Sequence, residues 1–272
     1  MKDLYCVRID NSLSLEEAWE AFEQAGIEMA YGSDEEGHVD LYLYLSSGQS
    51  LPPYSWIQTI QSLALPAIDW DAQWAAHGQD FRDGFVHVSF EHYSRQAKSI
   101  RLQPGPGFGD LSHPTTRLVL ELMARLLKDQ PVIDIGCGSG ILSLAAAAMG
   151  APAVHGIDID PAAIEHSKQN ALLNHLENQC HFSLPEGFSI PSHQDLLIVM
   201  NMILSEQQDA WASLPSLHAA QGICLTSGIR IEEHQTYLEL AARWGWELKE
   251  EIEKDGWLGF CFSLKGLHLR EE

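Results

Sequence analysis

The spacing of apolar residues divides the 272-residue chain into parts with different secondary structure. From about residue 130 onward, short apolar runs alternate with longer segments in which apolar positions recur at helical spacing. Such alternation is typical of parallel strands joined by crossover helices, so we expect a doubly wound sheet. The first five runs read PVIDIG, AVHGIDI, QCHFSL, DLLIVMN and GICLTSG. The last two, WELKEEIE and WLGFCFSLK, are joined by the hairpin-type turn KDG, which predicts an antiparallel end to the sheet.

The beginning of the chain predicts a smaller α+β domain. The spacing from Ser14 to Glu17 is a capping box, which opens a helix that ends at Gly26. DLYCVRI before it and GIEMAYG and HVDLYLYL after it have the composition of strands, and YSWIQTIQSLAL returns to helical spacing. This order indicates a ferredoxin-like layer over residues 1–65. We interpret residues 66–103 as a linker with some structure of its own.

A glycine-rich turn follows the first run of the large sheet. VIDIGCGSG places Gly136, Gly138 and Gly140 at the end of a buried strand, where glycine permits positive φ and close backbone approach. The helix that follows offers free N–H groups and a positive dipole end. Asp158 comes 22 positions after Gly136, at the end of the next strand, where Rossmann-like sites carry the acid that binds ribose hydroxyls. Together these features predict a nucleoside site, and the alternative is a tight structural turn.

Two residues indicate which nucleoside the turn would bind. The dinucleotide fingerprint requires glycine where this chain has Ile141. Asp134, two residues before the first glycine, would repel a pyrophosphate but would suit the sulfonium and amino group of S-adenosylmethionine. Methyl transfer is therefore favoured over hydride transfer, and a nicotinamide dehydrogenase is the outside alternative.

Asn201 ends the apolar run DLLIVMN. Ligands of open α/β sheets bind beyond the carboxyl ends of strands, so a polar residue there is a site candidate. Met202, Ile203 and Leu204 follow, so the Asn-Pro-Pro-aromatic motif of glutamine and adenine methylation is absent. The alternative is an asparagine that caps the next helix.

Charge and cysteine usage limit the partners and the compartment. The formal net charge of -22 disfavours binding of free nucleic acid and would attract a basic protein, although it would also serve solubility alone. The five cysteines stand far apart without a Cys-x-x-Cys pair, which favours a reducing cytosol over a disulfide framework or a zinc site. We see neither a signal peptide nor an apolar stretch near ~18 residues, so we expect a cytoplasmic protein without a membrane span.

Several motifs together resemble one known family. LQPGPGFGDLSHPTT, VIDIGCGSGILSLAAAAMGA, VHGIDIDPAAIEHSKQNALLN, DLLIVMNMIL and LTSGI are similar to the bacterial ribosomal protein L11 methyltransferases (PrmA), from about Leu102 to the end of the chain. The resemblance implies a seven-stranded, Rossmann-like class I methyltransferase domain over residues 104–272. It also implies S-adenosylmethionine as cofactor and methylation of lysine and α-amino groups of a ribosomal protein, L11. By size and element order, residues 1–65 look like the family's substrate-recognition domain.

Roles for individual residues follow partly from the resemblance and partly from the chemistry of the residues themselves. We assign Asn201 to orienting the acceptor amine, and Asp110 or His113 to assisting proton removal. A hydrogen bond within the loop is the alternative role for His113, and helix capping is the alternative for Thr115 and Thr116. The residues expected at the cofactor are Phe108, Thr115, Thr116, Asp134, Gly136, Gly138, Gly140, Asp158 and Asn201.

Two other readings remain open from the sequence. One is a methyltransferase of the same fold that acts on another protein or on a small-molecule amine. The other is a non-catalytic protein that binds S-adenosylmethionine.

Overall fold

The computed structural model describes residues 2–10, 12–35, 38–46, 48–63, 80–93, 99–105, 113–189 and 195–265. The chain divides into two compact units, Met1–Ile68 and Asp69–Glu272. Phe108 and Asp110, two of the residues expected at the site, lie outside the described residues. Within the described part of the chain, no helix is long and apolar enough to cross a membrane.

The first unit is a four-stranded antiparallel sheet with a helix. Its elements are β1 (Lys2–Ile9), α1 (Leu15–Gln24), β2 (Glu28–Glu35), β3 (His38–Ser46) and β4 (Ile57–Leu63). The strand order β2-β3-β1-β4 is the ferredoxin-like order. The capping box at the start of α1 is confirmed, since Ser14 and Glu17 exchange hydrogen bonds between side chain and backbone. Phe22 of α1 packs with Val7 and Leu41 in the core of this unit.

The helix predicted over YSWIQTIQSLAL is wrong, because the structure has the strand β4 there. β4 pairs with β1 along its length, and the register shifts where Arg8 and Ile9 face Thr59 and Ile57. A bulge of this kind interrupts the two-residue alternation of a strand. It lets Ile57 and Ile60, three apart in the sequence, share one face of the strand. Together with Leu63, a further three residues on, they imitate helical spacing.

The second unit contains a short three-stranded sheet inside the stretch that the sequence analysis assigns to a linker. Its strands are β5 (Phe81–Arg82), β6 (Phe85–Val88) and β7 (Ile100–Leu102), all antiparallel. The buried residues Val86, Val88, Phe90, Ile100 and Leu102 belong to a large core cluster of the unit. These residues are therefore structurally part of the second unit.

The large sheet has seven strands in the order β10-β9-β8-β11-β12-β14-β13. Its strands are β8 (Val132–Ile135), β9 (Val154–Ile157), β10 (Cys180–Ser183), β11 (Asp195–Asn201), β12 (Gln221–Arg230), β13 (Glu247–Lys254) and β14 (Trp257–Lys265). The first five in spatial order are parallel, and β14 runs antiparallel to both of its neighbours. The predicted α/β class and the antiparallel last pair are confirmed.

Helices cover both faces of this sheet. They are α2 (Pro114–Leu126), α3 (Ile141–Ala148), α4 (Pro161–Leu173), α5 (Leu204–Ser213) and α6 (His234–Arg243). Along β11, Leu197 and Val199 enter one core cluster, while Leu196, Ile198 and Met200 enter the other. A central strand buried on both sides needs such a continuous apolar run. Because both faces are covered, the carboxyl edge of the parallel strands is where a ligand can enter.

Candidate functional site

A cavity of about 770 Å³ lies at the carboxyl edge of the parallel strands. It brings together six of the residues predicted for the site, namely His113, Thr115, Gly136, Gly138, Asp158 and Asn201. Thr116, Asp134 and Gly140 are not among the described residues that line it. The wall is completed by residues that the sequence analysis did not assign to the site, including Ile159, Asp160, Met202, Ile203, Glu206, Asp209 and Trp257.

The glycine turn holds the carboxylate of Asp158 at this cavity. The N–H of Gly138 donates to Oδ2 of Asp158 at 2.9 Å, and the N–H of Asp160 donates to Oδ1 at 3.0 Å. Each oxygen of a carboxylate has two acceptor positions, so both retain capacity for a further donor. Ile159, next in the chain, leaves 82% of its surface exposed at the rim. A fixed carboxylate beside an exposed aliphatic side chain suits a ribose and its flat base.

Gly140 connects the turn to α3. Its φ of +82° lies in the left-handed region, and a Cβ there would sit 3.0 Å from the Cβ of Ser167 on α4. A side chain would be strained in conformation and would push α4 away. The turn therefore depends on this glycine, although Gly140 itself does not reach the cavity wall.

Asp134 is buried beneath the turn, with 1% of its surface exposed. Its carboxylate accepts a hydrogen bond of 2.7 Å from the hydroxyl of Ser143, in the first turn of α3. Burial raises the pKa of Asp134 from 3.8 to about 6, and hydrogen bonds from the side chain and backbone of Ser143 oppose this rise. The carboxylate therefore anchors the start of α3. It would act on a bound cation by electrostatic attraction at a distance, without direct contact.

His113 caps the N-terminus of α2. Its Nδ1 accepts from the N–H of Thr115 at 3.4 Å and lies 2.8 Å from the Thr115 hydroxyl, which can donate to the same nitrogen. In the neutral imidazole the proton is then on Nε2. Pro114 takes the first helical position, which suits its fixed φ and missing N–H. The cap is therefore His113, and the two threonines after Pro114 lie inside the helix.

Asn201 ends β11 and faces the cavity. Its Nδ2 lies 3.5 Å from the hydroxyl of Thr116, which is fully buried behind the wall. α5 begins at Leu204, with Ile203 as its N-cap residue and without a side-chain capping bond. Asn201 is therefore not the cap of this helix, which was the alternative role considered for it.

A buried polar network supports the chain just after Asn201. The side-chain amide of Gln207 donates to the carbonyl oxygens of Met202 and Ser227 at 2.8 and 3.0 Å. The hydroxyl of Tyr237 lies 2.6 Å from Oε1 of Gln207 and 2.8 Å from the hydroxyl of Thr226. These satisfied contacts fix the backbone that presents Asn201.

Trp257 forms the wall of the cavity at the β14 end and was missed by the sequence analysis. Its ring lies 5.1 Å from that of His113 in an edge-on arrangement, and the guanidinium carbon of Arg230 lies 4.6 Å from its centroid. It directly follows the hairpin residues Asp255 and Gly256, both with positive φ. A tryptophan at the start of a strand, after a turn that ends at the carboxyl edge, is the signal that could have identified it.

The charge of the cavity distinguishes among ligands. The described residues that line it include four acids, Asp158, Asp160, Glu206 and Asp209. The same described lining includes neither lysine nor arginine. Such a wall repels a pyrophosphate and attracts a cation. The residues therefore fit an adenosine-bearing, positively charged cofactor better than a dinucleotide.

Comparisons with known proteins relate the chain to one family. Residues 31–265 match the family described as ribosomal protein L11 methyltransferase (PrmA). The ribosomal protein L11 methyltransferase of Tolumonas auensis is 34% identical over 194 residues, covering 70% of this chain and 66% of that protein. The corresponding Pseudomonas putida protein is 33% identical over 228 residues, covering 81% of this chain and 74% of that protein.

A solved structure shares both fold and sequence. The crystal structure of the ribosomal protein L11 methylase of Lactobacillus delbrueckii subsp. bulgaricus aligns with a TM-score of 0.53 and 29% identity, covering 61% of this chain and 85% of that one. The chain covers just under two thirds of the length of the first curated relative that it matches. Because the family match extends over most of this chain, the chain belongs to the ribosomal protein L11 methyltransferase (PrmA) family.

Proposed function

We propose that this protein is an S-adenosylmethionine-dependent N-methyltransferase that modifies lysine and α-amino groups of ribosomal protein L11. The observation that carries the proposal is the acidic cavity in which Gly136, Asp158 and Asn201 meet. The names of the protein's relatives support L11 as the substrate, because the Tolumonas auensis and Pseudomonas putida proteins are both called ribosomal protein L11 methyltransferases.

The β9 end of the cavity would hold the adenosine part of the cofactor. Asp158 would accept hydrogen bonds from the ribose hydroxyls, and Ile159 would pack against the base. Gly136 and Gly138 would leave room for the methionine part beside the turn. When bound, S-adenosylmethionine supplies a methyl group on a positively charged sulfur, which the acids of the wall attract.

The acceptor amine would lie at the opposite end of the cavity. In the strand order, β9 and β8 are followed by β11, β12 and β14, which contribute Asn201, Gly228 and Trp257. We propose that the side-chain oxygen of Asn201 orients the amine and that Trp257 excludes water from it.

The amine must arrive without its proton, because a lysine ammonium has no lone pair and a reference pKa near 10.4. Burial beside the cationic sulfonium disfavours the charged form of the amine and assists loss of the proton to water. Asp110 keeps its proposed role in assisting removal of that proton. For His113 we propose the structural role, because its Nδ1 faces Thr115 in the cap.

The first unit would recognise the substrate. Between residues 1 and 68 the sequence has eleven acids but only two cations, Lys2 and Arg8. We propose that this charge attracts a basic protein and speeds encounter, and that the net charge of -22 keeps free nucleic acid away. We place the reaction in the cytoplasm, where ribosomal proteins are made.

The proposal is tested by mass spectrometry of ribosomal proteins from a strain that lacks the gene. We expect L11 to lose methyl groups, to regain them when wild-type protein is supplied, and to stay unmethylated with Asn201→Ala. If L11 keeps all its methyl groups while another protein loses them, the substrate assignment fails. If no protein changes, the enzymatic assignment fails.

A further inference from the structure

Three side chains along one face of α4 bind the backbone of Arg101 and Gln103. His166, Asn170 and Asn174 are spaced by four residues, which places them in one row. Nε2–H of His166 donates to the carbonyl of Gln103 at 2.7 Å. Asn174 accepts from the N–H of Arg101 at 2.8 Å and donates to its carbonyl at 2.7 Å.

These contacts occupy the outer edge of β7. β7 is the last strand of its three-stranded sheet and pairs with β6 on one side only. On the other side, α4 supplies side-chain amide and imidazole groups where a neighbouring strand would supply backbone groups. The N–H and carbonyl of Arg101, in the middle of this edge strand, are thereby satisfied.

Asn170 differs from the other two because it joins two separate segments. It is completely buried. Its Oδ1 accepts from the N–H of Gln103 at 2.7 Å, and its Nδ2 donates to the carbonyl of Ser139 in the glycine turn at 2.9 Å. One amide therefore bridges the backbone at Gln103 to the glycine turn at the cavity.

The packing around this bridge leaves little freedom for the two segments to shift. A side chain on Gly105 would collide with the imidazole of His166, 2.5 Å from Nε2, and one on Gly140 would press on Ser167. α4 thus makes close contact with residues 101–105 and with the glycine turn at once.

The geometry points to Asn170 as a positioning residue for the cofactor site. It holds the backbone of Ser139, and with it the turn that carries Gly138, in register with residues 101–105. This inference rests on the proposed function only in identifying the ligand of the turn as S-adenosylmethionine.

The test compares Asn170→Ala with Asn174→Ala in the full-length chain. Asn174 is the matched control, since its side chain also donates to the carbonyl of Asn170 at 2.7 Å and so makes one more of these bonds than Asn170 does. Hydrogen exchange of the peptide covering residues 136–142 is measured without ligand. Calorimetry with S-adenosylhomocysteine then measures binding.

We expect Asn170→Ala to speed exchange in the turn and to raise Kd about tenfold, because a buried carbonyl loses its donor. Asn174→Ala should leave the exchange rate of the turn and the Kd within about twofold of wild type, although this variant loses more hydrogen bonds than Asn170→Ala. If Asn170→Ala does not fold, Asn170→Asp keeps the acceptor for Gln103, loses the donor to Ser139, and should show the same two changes.

Two results would overturn the inference. One is exchange and binding that stay at wild-type values in both Asn170 variants. The other is an equal change in exchange and binding in Asn174→Ala, which would show that both variants act through general stability rather than through the bridge. If wild-type protein binds no S-adenosylhomocysteine, the proposed function fails, and the exchange comparison still decides the role of Asn170.

Discussion

Replacing Asp134 with asparagine should make the protein more stable at neutral pH. Asp134 is buried, and burial raises its pKa from 3.8 to about 6. Asparagine has the same shape and does not ionise. Its amide oxygen can accept a hydrogen bond from the backbone N–H of Ser143. Its NH₂ group can donate to the Ser143 hydroxyl, whose oxygen then acts as the acceptor.

The sign of the effect follows from the raised pKa in the folded state. As pH rises above 3.8, the unfolded chain loses the Asp134 proton first, while the folded chain keeps it until about pH 6. Stability therefore falls as pH rises through this window and stays reduced above it. Because each whole pKa step is worth ~1.4 kcal/mol, the penalty at pH 8 is about 3 kcal/mol. A weaker bond from the Ser143 hydroxyl to a neutral amide reduces the expected gain to about 1–3 kcal/mol.

The assay is urea unfolding of wild type and Asp134→Asn at several pH values from 4 to 8. We expect the free energy of unfolding of the variant to exceed that of wild type increasingly as pH rises to about 6.5. Asp209→Asn, which removes a carboxylate from the exposed rim, is the control for the loss of one negative charge. A difference between variant and wild type that stays constant across the pH range would refute the reasoning.

Three further predictions concern the network, the ribose contact and the first unit. Tyr237→Phe should lower the free energy of unfolding by about 1–3 kcal/mol in urea titrations, because Oε1 of Gln207 loses its hydroxyl partner in a buried place; an unchanged midpoint would contradict this. Asp158→Ala should raise the calorimetric Kd for S-adenosylhomocysteine about 10–100-fold and Asp158→Asn by less; equal affinity in all three proteins would remove the ribose assignment. Deletion of residues 1–68 should preserve that Kd and abolish methylation of intact L11 in a tritium-transfer assay, whereas full activity would remove the recognition role.

The parts of the fold that follow local rules could be predicted from the sequence. The turn after β8 needs glycines, and the Asp-Gly hairpin before Trp257 needs two residues of positive φ, which the structure has at Asp255 and Gly256. Strand β4 could not be predicted, because a bulge opposite β1 hid its alternation. A bulge is a property of a strand pair, and a single segment does not reveal it.

The site could be predicted where the chemistry lies at strand ends, and less well where distant segments meet. Asp158 and Asn201 stand at the ends of apolar runs, so the strand-end rule predicts them at the edge where the cavity lies. Trp257 is brought to the cavity only by the pairing of β14 with β12. Asn170 sits in a helix with the mixed polar composition of an ordinary surface, and its burial depends on β7, about seventy residues earlier in the chain. Contacts of this kind leave no periodic signal.

The most direct test of the account is transfer of tritiated methyl groups from S-adenosylmethionine to unmethylated ribosomal protein L11 by the purified chain. We predict incorporation into lysine and α-amino groups of L11 by wild type, and loss of incorporation by Asn201→Ala at cofactor concentrations that saturate both proteins. Absence of transfer by wild-type protein that binds S-adenosylhomocysteine would contradict the account, as would full transfer by Asn201→Ala.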